Sequence, residues 1–265
     1  MSQPHGDQVE IVTIYPSLLR APGDRGNTEA LVRRLTWRGH RPRLRTVEHD
    51  QPIPDDGQLY LIGGSEGPAQ VAAAHLLAAD GALGRVAAAG AIVFATGGGY
   101  QLLGRSFAAP DGTRVDGLGL LDVETVPSTD EARGEVVGRL RDLPDGRGKT
   151  SSAVTDGRID ADQATSDPRV ITGYEDHSGI THLGPDADPL AMISVGYGNC
   201  GDGTEGAVTR TTMGTNLHGP VLARNPGLAD HLLSLALGRT LRTLVRTEVE
   251  ELRRRRILTA MRMAH

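Results

Sequence analysis

Residues 91–104, Ala-Ile-Val-Phe-Ala-Thr-Gly-Gly-Gly-Tyr-Gln-Leu-Leu-Gly, constrain the fold more than any other stretch of the chain. An apolar, β-branched run leads into three consecutive glycines and then into helical spacing, which predicts a buried strand, a sharp elbow and a helix. A turn of this kind projects one side chain beside backbone N–H groups, a geometry suited to attack on a carbonyl. Gly97, Gly98 and Gly99 keep the backbone but offer neither thiol nor hydroxyl. Two readings follow: a catalytic scaffold without its reactive atom, or a glycine loop serving another purpose. A phosphate loop of the Walker type is excluded, because Gly99-Tyr100-Gln101 lacks the terminal Lys and hydroxyl that such loops need.

The residues before the elbow alternate between strand and helix patterns. A β-branched run at 9–15 is followed by helical spacing at 27–38, with Asn27 placed to cap it. A short apolar strand at 59–63 ends in Gly63-Gly64, and alanine-rich helices at 67–79 and 81–89 feed the strand at 91–96. This order predicts an α/β fold whose mostly parallel sheet is covered on both faces, with its site beyond the strand C-termini. There the 63–66 loop and the 97–100 elbow would meet. Beyond residue 117 the pattern changes to short strands near 119–126, 133–138, 168–174, 190–196, 206–211 and 212–217. Residues 141–167, rich in Asp, Gly, Ser and Thr, read as a surface loop. Helices are expected at 229–237 and 240–263. The second carries Leu241, Leu244, Val245, Val249, Leu252 and Leu258 on a rough stripe that would pack on the parent domain. The chain reads as one domain over 1–265, with a helical tail at 240–265.

Composition narrows the function classes. With 38% hydrophobic and 23% charged residues over 265 positions, the chain can bury a sizeable core. A net charge of −5 gives no basis for nucleic-acid steering. The arginine run at 253–256 lies beside Glu248, Glu250 and Glu251 and reads as a solvated helix of mixed charge. Cys200, the sole cysteine, cannot form an internal disulfide, and no feature of its loop lowers its pKa, so it reads as inert. No apolar run nears the roughly 20 residues that cross a bilayer, so direct membrane insertion is not expected. The N-terminus lacks a secretory pattern and the cytoplasm is the expected location. His177 and His182 are five apart without a second cluster, so no metal is expected.

Seven segments occur in an order that carries a family resemblance: Tyr15-Pro16 with Gly23-Asp24-Arg25-Gly26-Asn27; Leu61-Ile62-Gly63-Gly64; Gly99-Tyr100-Gln101-Leu102-Leu103-Gly104; Gly173-Tyr174-Glu175-Asp176-His177; Gly203-Thr204-Glu205-Gly206; and Gly214-Thr215-Asn216-Leu217-His218-Gly219-Pro220. Over roughly residues 9–240 the chain resembles the class I glutamine amidotransferases, in their GatD-like, CobB/CobQ-type branch. The resemblance implies a flavodoxin-like sheet and a Cys-His glutaminase. It also implies a Mur-ligase-like, MurT-type partner that receives the ammonia for a peptidoglycan precursor, and no cofactor.

The family's cysteine position corresponds to Gly97, which supplies no atom for an acyl-enzyme. The family histidine corresponds to His218, the base of the ancestral dyad; Pro220 stands where the triad form has an acid. Gly63 and Gly64 resemble the oxyanion loop, whose N–H groups would act with that of Gly98. Gln101 matches a position beside the glutamine pocket, and Arg133 falls near an arginine that holds the α-carboxylate, a surface salt bridge being the other reading. Three functions stand open: a pseudo-amidotransferase acting by binding, with glutamine or another small molecule as ligand; a glutaminase subunit inactivated at Gly97; or a reused pocket for noncovalent histidine chemistry. Ala95-Thr96 and Gly98 also depart from the commoner family flanks, which favours drift over one designed change.

Overall fold

The β-branched opening forms β1 (Gln8–Ile14). The protein is described here by a computed structural model covering residues 7–21, 24–143, 159 and 167–263. After β1 come α1 (Asp24–Trp37), β2 (Arg41–Val47), β3 (Leu59–Ile62), α2 (Pro68–Asp80), α3 (Ala82–Ala88), β4 (Ile92–Thr96) and α4 (Gly98–Leu103). Short β5 (Ser106–Ala108) and β6 (Arg114–Asp116) precede the long β7 (Val123–Leu140) and β8 (Val170–Leu183). The chain continues through β9 (Ala191–Val195), β10 (Thr204–Glu205), β11 (Ala207–Thr209) and β12 (Thr212–Thr215). It closes with α5 (Val221–Arg224), α6 (Pro226–Ala236) and α7 (Thr247–Met263).

Six strands make the first sheet, in the order β11-β12-β4-β3-β1-β2, and every pairing except β11 with β12 is parallel. Alternate residues of these strands feed two separate cores. Val12, Ile14, Tyr60, Ile62, Val93 and Ala95 pack with Ala73, Ala74 and Leu77 of α2. Ile11, Leu59, Leu61, Ile92 and Phe94 pack with Leu31 and Leu35 of α1 and with Leu232 of α6. Both faces are therefore covered by helices, as near-continuous apolar strands require. Among the described residues no single helix is long and apolar enough to cross a membrane.

The later strands build a second sheet, β10-β9-β7-β5-β6, with β8 paired to β7. Here several sequence expectations need correction. The strands expected at 119–126 and 133–138 are one strand, β7, because a register shift between Pro127 and Ala132 absorbs the proline instead of ending the ladder. The strand at 168–174 extends to Leu183 through antiparallel pairing with β7, and the 206–211 strand is shortened to β11, set off from the preceding β10 by Gly206, which has φ +62°. Most of the 141–167 stretch lies outside the described residues.

The helical spacing at 27–38 begins earlier, at Asp24, so Asn27 is inside α1 and cannot cap it. Its Oδ1 instead accepts the N–H of Leu222 at 2.9 Å, so Asn27 caps α5 across the fold. The tail helix starts at Thr247 and not at 240, which breaks the phase of the expected stripe; Leu252 is 56% exposed. The inward residues are Arg253, Ile257 and Ala260, and they pack on β7 and β8. Arg254 and Arg255 pair with Glu251 in solvent as expected, but Arg253 is buried, donating to the carbonyls of Asp167 and Val170. Periodicity alone hides an inward arginine that satisfies backbone acceptors.

Candidate functional site

β4 ends at Thr96, and the chain then turns sharply at Gly97, with φ +52° and ψ −125°, into α4. An L side chain adopts this conformation only under strain, and glycine removes that cost. The Gly97 N–H donates to the Thr215 carbonyl at 2.8 Å, and the Gly97 carbonyl accepts the N–H of Tyr100 at 2.9 Å. The 63–65 loop closes directly on the elbow. A Cβ at Gly98 would lie 1.9 Å from the Ser65 carbonyl oxygen, and one at Gly99 would lie 2.5 Å from that of Gly63. Backbone contact, not side-chain chemistry, demands glycine at these two positions.

Parallel pairing of β12 with β4 sets Thr215 beside Thr96, so the 216–218 turn passes over the elbow. The His218 N–H donates to the Tyr174 carbonyl of β8 at 2.7 Å, tying the second sheet to the site. A Cβ built on Gly97 would lie 2.5 Å from His218 Cε1, 3.2 Å from Nε2 and 3.5 Å from Nδ1. The imidazole therefore stands against the place where a nucleophile's side chain would begin. Burial lowers the His218 pKa, charge on His177 lowers it further, and Asp176 opposes both. The ring is thus held neutral near pH 7, the form of a base, with no thiol on residue 97 to deprotonate.

Below this corner is a buried polar cluster that the sequence reading did not assign. Glu205 accepts the Asn216 N–H at 2.8 Å and the Thr215 hydroxyl at 3.0 Å, which fixes the turn carrying His218. Burial pushes the Glu205 carboxyl up to about 7, against the lowering effect of those hydrogen bonds. Glu175 accepts the N–H groups of Tyr197 at 2.7 Å and Gly198 at 2.8 Å. His177 Nε2 is 3.7 Å from Glu175 Oε2, an ion-pair distance beyond hydrogen-bond range, and its Nδ1 is 3.0 Å from the Gly179 carbonyl. Burial disfavours charge on His177, but the Glu175 and Gly179 contacts prevail and its pKa rises. The available signal was that both glutamates stand in segments that carry the family resemblance, Gly173–His177 and Gly203–Gly206.

The other expected site residues divide. Gln101 comes to the elbow: its Oε1 accepts the Gln70 Nε2 at 2.7 Å, and the same Gln70 nitrogen holds the Gly98 carbonyl at 3.1 Å. Gln70, buried in the alanine-rich α2, was not singled out. Gly63 and Gly64 also reach the elbow, but Gly64 does not present its N–H to it. That N–H donates to Asp24 Oδ2 at 2.7 Å, while the Thr96 hydroxyl donates to Asp24 Oδ1 at 2.7 Å. The expectation for Gly64 is therefore corrected: a carboxylate in α1 consumes the donor. For Arg133 the structure bears out the salt-bridge reading, since its Nε and Nη2 both donate to Asp176 Oδ1 at 3.1 Å and the side chain is 60% exposed. Its fork already holds a carboxylate. Burial raises the pKa of Cys200, which also bonds Asp202, so the thiol is poorly suited to act as a displaced nucleophile.

Comparison with known proteins matches residues 25–226 to the CobB/CobQ-like glutamine amidotransferase domain. The chain is 30% identical over 234 residues to the lipid II isoglutaminyl synthase (glutamine-hydrolyzing) subunit GatD of Staphylococcus aureus, covering 86% of this chain and 85% of that relative. It is 27% identical over 233 residues to the subunit of the same name from Streptococcus pneumoniae, covering 87% and 81%. A cobyric acid synthase of Cereibacter sphaeroides is 34% identical over 183 residues, but only 32% of that protein is spanned. Among solved structures, PurLQS from Thermotoga maritima superposes with a TM-score of 0.55 at 16% identity, covering 88% of this chain and 98% of that one. At that identity the likeness concerns fold alone.

Proposed function

This chain belongs to the CobB/CobQ-like glutamine amidotransferase family, and from that premise we propose that it is a GatD-like subunit that has lost cysteine-dependent glutamine hydrolysis. On this reading it acts as a binding and scaffolding partner of a Mur-ligase-like, ATP-dependent enzyme of the MurT type, working in the cytoplasm on a lipid II-type precursor. One observation carries the reading: the position of a Gly97 Cβ lies 2.5 Å from the His218 ring, so base and elbow are together without a reactive atom between them.

Amide hydrolysis by this family's chemistry requires a thiolate to form the acyl-enzyme and an imidazole to return the proton to departing ammonia. His218 retains the second capacity and residue 97 has none of the first. Removing a covalent nucleophile elsewhere costs about a millionfold in kcat. The oxyanion side is weakened as well, because the Gly64 donor is held by Asp24. Reuse of the vacated space for other chemistry gains no support, since the imidazole closes it.

The test is release of glutamate from glutamine by the purified chain, alone and with a co-expressed Mur-ligase-like protein of the MurT type. The reading expects background rates in both, with the two proteins co-purifying. Turnover that persists in pure protein and disappears in His218→Ala would overturn it.

A further inference from the structure

β1 is the point at which the first sheet reverses direction. The chain leaves β1 through α1 to β2 on one side, then crosses back to β3 on the other. α1 and α2 lie on opposite faces, so the segments after β1 and β3 diverge and leave a crevice at the strand C-termini. A cavity of about 600 Å³ occupies it on the α1 face. This is the size of a small-molecule site.

Its floor is apolar, formed by Leu61 and Phe94, with Leu44 of β2 at the open side; Leu44 is 53% exposed. Threonine hydroxyls stand around it at positions 13, 28, 46 and 96. Asp24 projects into it from the first turn of α1. Each Asp24 oxygen accepts one neutral donor, Thr96 or Gly64, and a carboxylate oxygen has capacity for a second. Among the described residues no cation pairs with it. Arg25, the nearest in sequence, is paired with Glu29 at 3.3 Å in solvent, and Arg20 is exposed at the rim. Burial pushes the Asp24 carboxyl up to about 6 against the lowering effect of the Thr96 and Gly64 hydrogen bonds, so two neutral donors only partly offset the loss of water.

We propose that this crevice binds a small monocation, an ammonium or amidinium group on a short apolar body, with the cationic head on Asp24 and the body over Leu61 and Phe94. Arg20 at the rim disfavours a second positive charge, while the charge of Arg25 is offset by Glu29, which also lines the cavity. Because Asp24 also holds Gly64 and Thr96, the residue before the elbow, occupancy would stiffen both loops of the old active site. This inference is independent of whether hydrolysis has been lost.

The experiment is calorimetric titration of the full chain at neutral pH with phenethylammonium, and with 2-phenylethanol and phenylacetate as neutral and anionic counterparts. Saturable binding of the amine is expected, at least tenfold tighter than either counterpart. Asp24→Asn should remove that preference. Thr28→Trp, which fills the cavity and leaves the carboxylate, should remove binding of all three probes and serves if Asp24→Asn does not fold. Equal binding of amine and alcohol, no amine binding tighter than about 10 mM, or amine binding unaffected by both variants would each overturn the proposal.

Discussion

The two flanks of the 63–65 loop hold their geometry in different ways. On the β4 flank a sharp backbone elbow carries no reactive side chain: Gly97 has φ +52°, and His218 closes over it. On the β1 flank side chains hold the geometry and the space is open, with Asp24 holding Thr96 and Gly64 beside a cavity of about 600 Å³. The elbow is held by contacts spread over Thr215, Gln70 and the 63–65 carbonyls, so deleting one side chain leaves it standing. The Asp24 clamp depends on a single carboxylate. Geometry supported by many backbone contacts does not depend on any one side chain, whereas a clamp exists only while its side chain does.

That contrast can be broken most decisively at the elbow. Glutamine turnover by this chain should lie about a millionfold below that of an active cysteine relative, and His218→Ala should leave the residual rate unchanged in a glutamate-release assay. Parallel rates in the two proteins would mean that the β4 flank has kept its chemistry. Next in size is Gly97→Ala, which forces a Cβ into a left-handed conformation and against the imidazole. We expect a loss of about 2–4 kcal/mol in denaturant melts, with about 1 kcal/mol recovered when His218→Ala is added. A cost near zero would show that the elbow is softer than its contacts imply.

The β1 flank should respond less. Asp24→Ala leaves the Gly64 N–H and the Thr96 hydroxyl without their acceptor, and about 1–3 kcal/mol of stability should be lost. Asp24→Asn, which keeps an acceptor, should lose less. Beneath both flanks, Glu205 titrates near 7 in the folded protein against 4.5 as a free side chain. Between those values the folded state holds a proton that the unfolded chain has released, so this group's contribution to stability falls as pH rises from 4.5 to 7 and stays low above it. Glu205→Gln should therefore match the wild type near pH 4.5 and exceed it by about 1–2 kcal/mol at pH 8, measured by melts across that range. The smallest effect belongs to Arg133→Ala, whose exposed pair with Asp176 should be worth less than about 0.5 kcal/mol. A large loss there would place the arginine in the site after all.

Much of the first sheet was legible because parallel strands buried on both faces read as apolar runs, and the helices between them read as alanine-rich spacing. β3, α2, α3 and β4 fall within a residue or two of expectation. The second sheet was less legible: β7 hides a register shift at Pro127, and β8 is kept extended past residue 174 by its neighbour, not by its own pattern. At the site, the family resemblance put His218, Gly97 and Gln101 around one elbow, and the three are neighbours there. The Gly64 donor and Arg253 were misjudged because their partners are distant in sequence, Arg133 was left between two readings, and Gln70 was passed over.

The sequence by itself determined the alternation of strand and helix, the elbow and the absence of a thiol at residue 97. These are local properties, set by residue type and spacing. Only the tertiary structure decided which donor each acceptor would take: Asp24 claims Gly64, Glu205 fixes the turn before His218, and the imidazole stands where a side chain would begin. Such choices depend on which groups folding buries together, because a buried polar group must find a partner among whatever the fold brings within reach.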